Sequence, residues 1–127
     1  MNIKMRIIIF SVYQNEKSEL INKLNHKHIG NELKSRGISF KELVGVYKGI
    51  HEQSYLVHES NRSLVEELCI RYNQECYLES NGDRSTELVY RYERKNIGIL
   101  KLVSKEFAES KEAYTYDPIN DSFWVTI

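Results

Sequence analysis

The sequence predicts a single α+β domain whose elements run β-α-β-β-α-β, with further strands toward the C-terminus. Three observations predict it. Short β-branched or alternating runs are separated by two stretches of helical periodicity. Glycine and asparagine punctuate the joins, at Gly37, Gly45, Gly49 and Asn81-Gly82-Asp83. The chain has 127 residues, enough for one domain (1–127) and too few for two ordinary ones. This order is the split β-α-β, ferredoxin-like arrangement: one antiparallel sheet with both helices packed on one face.

The first strand is expected from about Met5 to Tyr13, around the apolar run Ile7–Phe10. A helix over about Lys17–Ser35 follows. Its apolar residues Leu20, Ile21, Leu24, Ile29 and Leu33 recur at three- and four-residue steps, with Asn15 or Ser18 as cap and Gly37 as stop. Gly30 within it marks a break or a close approach. The second strand covers Ser39–Tyr47 and the third Gln53–His58. The second helix spans Ser63–Tyr72, capped by Asn61 or Ser63, and Ser63-x-x-Glu66 has the spacing of a capping box. Strands over Glu75–Leu78 and Thr86–Tyr92 flank the hairpin turn at Asn81-Gly82-Asp83. Ile97–Val103 reads as a strand, Asp117–Asn120 as a turn and Phe123–Ile127 as a last short strand. The sheet face away from the helices carries part of the tyrosine population and needs cover. By analogy with this layout, trimerisation with the sheets facing inward would supply it.

Lysine plus arginine equals aspartate plus glutamate, 18 each, so the formal net charge is zero. That argues against broad nucleic-acid binding, against an anionic membrane surface and against a nucleic-acid mimic. The apolar run at Ile7–Phe10 is too short for a membrane span or a signal segment, so neither anchoring nor export is expected. Cys69 and Cys76 form no C-x-x-C pair and read as small buried hydrophobes in a reducing cytoplasm.

The chemistry-bearing residues are few. His26 and His28 lie two apart on a helix and point about 200° apart, so one ion is not readily shared between them. No metal is expected. Gly45-Val46-Tyr47-Lys48-Gly49 followed by Glu52 is the most suggestive stretch. Glycines on either side of an aromatic let backbone approach a ligand. There Tyr47 can donate a hydrogen bond and Glu52 can hold a cation, against the plainer reading of a β-bend with a surface glutamate. Gln74-Glu75 is a second polar pair beside buried positions. No G-x-S-x-G or H-E-x-x-H pattern is present.

Several of these stretches, taken in order, resemble the bacteriophage S-adenosylmethionine-degrading enzymes, first described as hydrolases and now regarded as lyases. The resemblance lies in Ser11-Val12-Tyr13, His26-Lys27-His28-Ile29 with Leu33, Leu43-Val44-Gly45-Val46-Tyr47, Glu52-Gln53-Ser54-Tyr55-Leu56-Val57, Asn73-Gln74-Glu75-Cys76, and Tyr114-Thr115 through Trp124-Val125. It implies a PII-like homotrimer of ferredoxin-like subunits with sites between subunits. Tyr47 and Glu52 match the family's catalytic tyrosine and glutamate. Ser11, Val12, Tyr13, Gly45, Val46, Gly49, Gln74 and Glu75 would line the substrate. The implied reaction converts S-adenosylmethionine to methylthioadenosine and homoserine lactone, with no cofactor. The implied setting is the cytoplasm of an infected bacterium, where the activity would counter methylation-dependent restriction. The alternative, favoured by the short connection from Tyr47 to Glu52, is a PII-like sponge or sensor that binds a nucleotide or an S-adenosylmethionine derivative without turnover. A protein that docks its sheet on a host target is a third reading.

Overall fold

A computed structural model describes residues 5–127. The strands are β1 (Ile7–Phe10), β2 (Phe40–Tyr47), β3 (Ile50–His58), β4 (Cys76–Ser80), β5 (Ser85–Tyr90), β6 (Arg94–Val103), β7 (Ala113–Asp117) and β8 (Ser122–Thr126). The α-helices are α1 (Glu19–Ser35), α2 (Arg62–Arg71) and the short α3 (Lys105–Glu109).

The strands form a closed antiparallel barrel in the order β1-β3-β2-β7-β8-β6-β5-β4. This corrects the open ferredoxin-like sheet expected from the sequence. The stretch β4-β1-β3-β2 runs in the order that a split β-α-β unit produces. The additional strands do not merely extend it: β7 pairs with β2, β8 with β6 and β5 with β4, so both edges are joined. Closure satisfies backbone groups that an open sheet leaves unpaired at its edges. The face expected to need a neighbouring subunit's cover is turned into the barrel.

The main core lies between the outer face of the barrel and the helices α1 and α2. Ile8, Phe10, Tyr55, Val57, Tyr77 and Val89 from the strands meet Ile29, Leu33, Val65, Leu68 and Cys69 from the helices. The face that α1 buries differs from the expected one. It is Asn22, His26, Ile29, Gly30 and Leu33, while Leu20, Ile21 and Leu24 are exposed. Apolar spacing fails here because two polar side chains have partners. The Asn22 amide exchanges hydrogen bonds with the backbone of Gln14, at 2.8 and 3.0 Å. His26 Nε2 meets Glu42 Oε1 at 2.9 Å. Gly30 marks a close approach, since a Cβ there would lie 2.5 Å from the Tyr55 hydroxyl.

Ser18 caps α1, its Oγ accepting from the Ile21 N–H. The expected capping box of α2 is not formed: the helix begins at Arg62, one residue early, and the cap residue Asn61 accepts no side-chain cap bond. β2 and β3 form one continuous hairpin from Phe40 to His58. Its two-residue turn, Lys48 (φ 50°) and Gly49 (φ 79°), has the positive dihedrals of a type I′ turn. The expected loop between Tyr47 and Glu52 is therefore ladder on both sides of a tight turn. Helix α3, capped by Ser104 Oγ, has no signal of its own in the periodicity of the sequence, whereas β7 and β8 form the hairpin over the Tyr114–Val125 stretch that carries part of the family resemblance.

Candidate functional site

Antiparallel register gathers the candidate residues at one rim of the barrel. Phe10 lies opposite Tyr55, Ile9 opposite Leu78, and Tyr47 opposite Ile50. The end of β1, the β2–β3 hairpin and the start of β4 thus share that rim. It holds Ser11, Val12, Tyr13, Gly45, Tyr47, Gly49, Glu52, Gln74 and Glu75.

A polar network ties three of these segments together. Ser11 Oγ donates to the Gln53 carbonyl (2.8 Å) and accepts from the Tyr13 N–H (3.1 Å). The Tyr13 hydroxyl donates to Gln53 Oε1 (3.2 Å). Gln74 Nε2 donates to the Tyr13 carbonyl, which locks β4 onto the end of β1. Behind Tyr13, His26 packs edge-on at 6.2 Å and is itself stacked on Tyr55 at 4.1 Å. Tyr55 is buried and donates to the His26 carbonyl at 2.5 Å. A fixed aromatic layer therefore backs the rim.

Glu52 lies directly across from Gly45 in the ladder. Strand alternation puts Glu52 and Ser54 on the same inward face as Leu56, and Gly45 and Tyr47 with Lys41 and Leu43. Glu52 is half-buried, and its carboxylate forms no hydrogen bond or ion pair among the described residues. Burial raises its pKa above the usual carboxylate range. The Tyr13 phenol is raised as well, by burial first and then by the charges of Glu19 and Glu52. At Gly45 a Cβ would find only ordinary contacts, with Ser54 Oγ at 3.6 Å and the Glu52 carbonyl at 3.7 Å. The glycine is thus not required by its own neighbours. Its missing side chain leaves the ladder position across from Glu52 without a side chain on that face.

The remaining candidates are placed less centrally. Tyr47 is 56% exposed at the mouth of the rim, with Lys48 over its ring at 5.2 Å. Gly49 serves the turn. Val12 is fully buried in the helix-side core, and Val46 is buried on the outer face of the barrel. Glu75 and Gln74 border a cavity of about 220 Å³ beside Cys69, Cys76 and Tyr90. Burial pushes the Cys69 thiol up to about 12 and raises Cys76, so neither thiol is poised as a nucleophile. His26 is buried and His28 exposed, on different sides of α1. Gln53 was not singled out in the sequence, although it adjoins Glu52 and accepts the Tyr13 hydrogen bond.

A sequence model of the S-Adenosylmethionine lyase family matches residues 8–127. The chain belongs to the S-adenosylmethionine lyase family. The match spans nearly all of the barrel, including the β2–β3 hairpin at the rim, so this lyase is an enzyme acting on S-adenosylmethionine. No curated protein matches the chain significantly. The substrate of the lyase carries a sulfonium and an ammonium. A half-buried carboxylate with no hydrogen-bond or ion-pair partner among the described residues, across from a glycine in the ladder, suits such a cation.

Proposed function

We propose that this lyase cleaves S-adenosylmethionine by attack of the substrate's own carboxylate on its Cγ. A C–O bond forms as the Cγ–S bond breaks, and the electron pair of that bond leaves on sulfur. Methylthioadenosine and homoserine lactone are the products. The single observation that carries the reading is Glu52, half-buried, without a hydrogen-bond or ion-pair partner among the described residues and raised by burial, across the ladder from Gly45.

The sulfonium is a good leaving group, and the nucleophile is already present in the substrate. No proton moves in the bond-making step. The barrier is then mainly conformational, and holding the folded near-attack pose supplies much of the acceleration. Glu52 binds the substrate's ammonium and fixes that pose. Tyr47, at the mouth, donates a hydrogen bond to the polar end. The Ser11–Tyr13 segment, held by Gln53 and Gln74, lines the adenosine side. Such chemistry needs no cofactor.

The lyase works as a homotrimer with its sites between subunits. The family resemblance supports this, as does the exposed apolar patch of Leu20, Ile21 and Leu24 on α1. Depleting the methyl donor in an infected cell would blunt methylation-dependent restriction, which fits a phage counter-restriction role in the bacterial cytoplasm. The test is incubation with S-adenosylmethionine and chromatography of the products. Methylthioadenosine with homoserine lactone supports the reading, and any other nucleoside product overturns it.

A further inference from the structure

The outer face of the barrel is covered unevenly. Helices α1 and α2 pack over β1, β3, β4 and β5, whereas β7 and β8 meet only the short α3. Beside α3 lies an outer groove of about 670 Å³, a size typical of small-molecule sites. None of the residues given a part in the lyase reaction lines it. Val44 and Val46 lie along its floor. Val46 is thus the one sequence candidate that faces this groove, away from the rim.

Register explains the aromatic wall. Tyr114 lies opposite Val46, and Tyr116 lies opposite both Val44 and Phe123. Residues paired across a ladder point to the same side, so all three rings stand on the outer face. The Phe123 ring is 4.8 Å from that of Tyr116 and 6.1 Å from that of Tyr114. The rings adjoin one another as a strip. They do not close round a point as in the aromatic cages that hold quaternary ammonium groups. A strip of rings on a sheet surface suits a flat heterocycle laid across it, as in domains that stack nucleobases on a sheet.

The polar lining narrows the choice. The Tyr116 hydroxyl donates to Asp121 Oδ1 at 2.9 Å, and Oδ2 has no hydrogen bond among the described residues. A carboxylate held beside a stacking surface can accept the hydroxyls of a ribose. Lys105, Glu109 and His51 also border the groove. At pH 8 an imidazole is uncharged, so Asp121 and Glu109 outnumber the single ammonium of Lys105. That balance disfavours a phosphate and hence a nucleotide or a nucleic-acid strand.

We propose that this groove binds an uncharged purine nucleoside. The base lies on Tyr114, Phe123 and Tyr116, and the ribose hydroxyls donate to Asp121. The strip is longer than one ring, which favours a bicyclic base. The nucleoside product of the reaction proposed above belongs to this class, but the groove's chemistry does not depend on that reaction.

The experiment titrates the protein calorimetrically with adenosine at pH 8 and low ionic strength. Adenosine monophosphate, 2′-deoxyadenosine, uridine and choline chloride serve as parallel series. Saturable binding of adenosine is expected, with each of the others about tenfold weaker or more. Asp121→Asn preserves the backbone, because asparagine accepts the φ of 46° found there. It should weaken adenosine about tenfold and leave turnover of S-adenosylmethionine unchanged. Absence of saturable adenosine binding overturns the proposal. So does the monophosphate or choline binding as tightly as adenosine. Adenosine affinity unchanged in Asp121→Asn would place the nucleoside at the rim, and lost turnover in that variant would make the groove part of the catalytic site; either overturns a separate nucleoside site. If Asp121→Asn does not fold, Glu109→Lys on the exposed side of α3 decides. It should tighten the monophosphate about fivefold with adenosine unchanged, and no change for the monophosphate overturns the proposal. Should the unaltered protein turn nothing over, the reaction reading fails while the adenosine titration still decides this one.

Discussion

Replacing Glu52 with glutamine keeps the shape of the side chain and removes its charge. Two unit charges about 4 Å apart interact by about 4 kcal/mol near a protein surface. Glu52 is only half-buried, and water on its exposed side reduces this to about 2–3 kcal/mol at low salt. With 1.36 kcal/mol per factor of ten, kcat/KM should fall roughly 30- to 150-fold. Stability should move the other way. The folded-state pKa of Glu52 is raised by burial, so the folded protein holds the proton more tightly than the unfolded chain does. The stabilisation this gives is present below the unfolded value of about 4.3 and is lost as pH rises through the folded value. At neutral pH the ionised group is a net cost, and Glu52→Gln should leave Tm unchanged or raise it. The assay is methylthioadenosine formation at several substrate concentrations, paired with thermal melting. A kcat/KM within threefold of the unaltered enzyme, or a large drop in Tm, would refute the role given to Glu52.

Three more outcomes follow from the geometry. Gly45→Val fills the strip beside Glu52 where a Cβ meets nothing closer than 3.6 Å; KM for S-adenosylmethionine should rise at least tenfold, with urea midpoint little changed. His26 has its pKa lowered by burial, against an opposing pull from Glu42. The unfolded chain then takes up the proton first, and stability should drop as pH falls below about 6.5 toward the folded value. His26→Gln should flatten Tm over that window. Glu79 is buried; burial pushes its pKa up, but Arg94 (2.8 Å) and Arg62 outweigh it and lower it. Its contribution is present above about pH 4.3 and lost as pH falls through the folded value, so Glu79→Gln should blunt acid unfolding there and lower neutral-pH stability by about 1–3 kcal/mol in urea.

Most of the elements were legible in the sequence because their signals are local. β-branched Ile7–Phe10, the Ser18 cap and the glycine at the β2–β3 turn each act within a few residues. Closure of the barrel was not legible. It depends on Tyr47 pairing with Ala113 and Val103 with Phe123, long-range contacts that leave no periodic trace. The inward face of α1 was misjudged because Asn22 and His26 are buried on partners 8 and 16 residues away, while Leu20 and Leu24 stay outside. At the rim, Glu52, Gly45 and Tyr13 are candidates that spacing and family resemblance offer, and the register brings them together. Gln53 and the His26–Tyr55 layer emerged only from the packing. Val12 and Val46 were drawn into the candidate set by their neighbours in sequence, and alternation turns their side chains away.

The most direct test of intramolecular attack is turnover of S-adenosylmethionine in water enriched in oxygen-18, sampled early and read by mass spectrometry. The lyase mechanism predicts methylthioadenosine together with homoserine lactone that carries no label. Homoserine bearing oxygen-18 in its hydroxyl would mean that water, not the substrate's carboxylate, attacks Cγ, and would contradict the account.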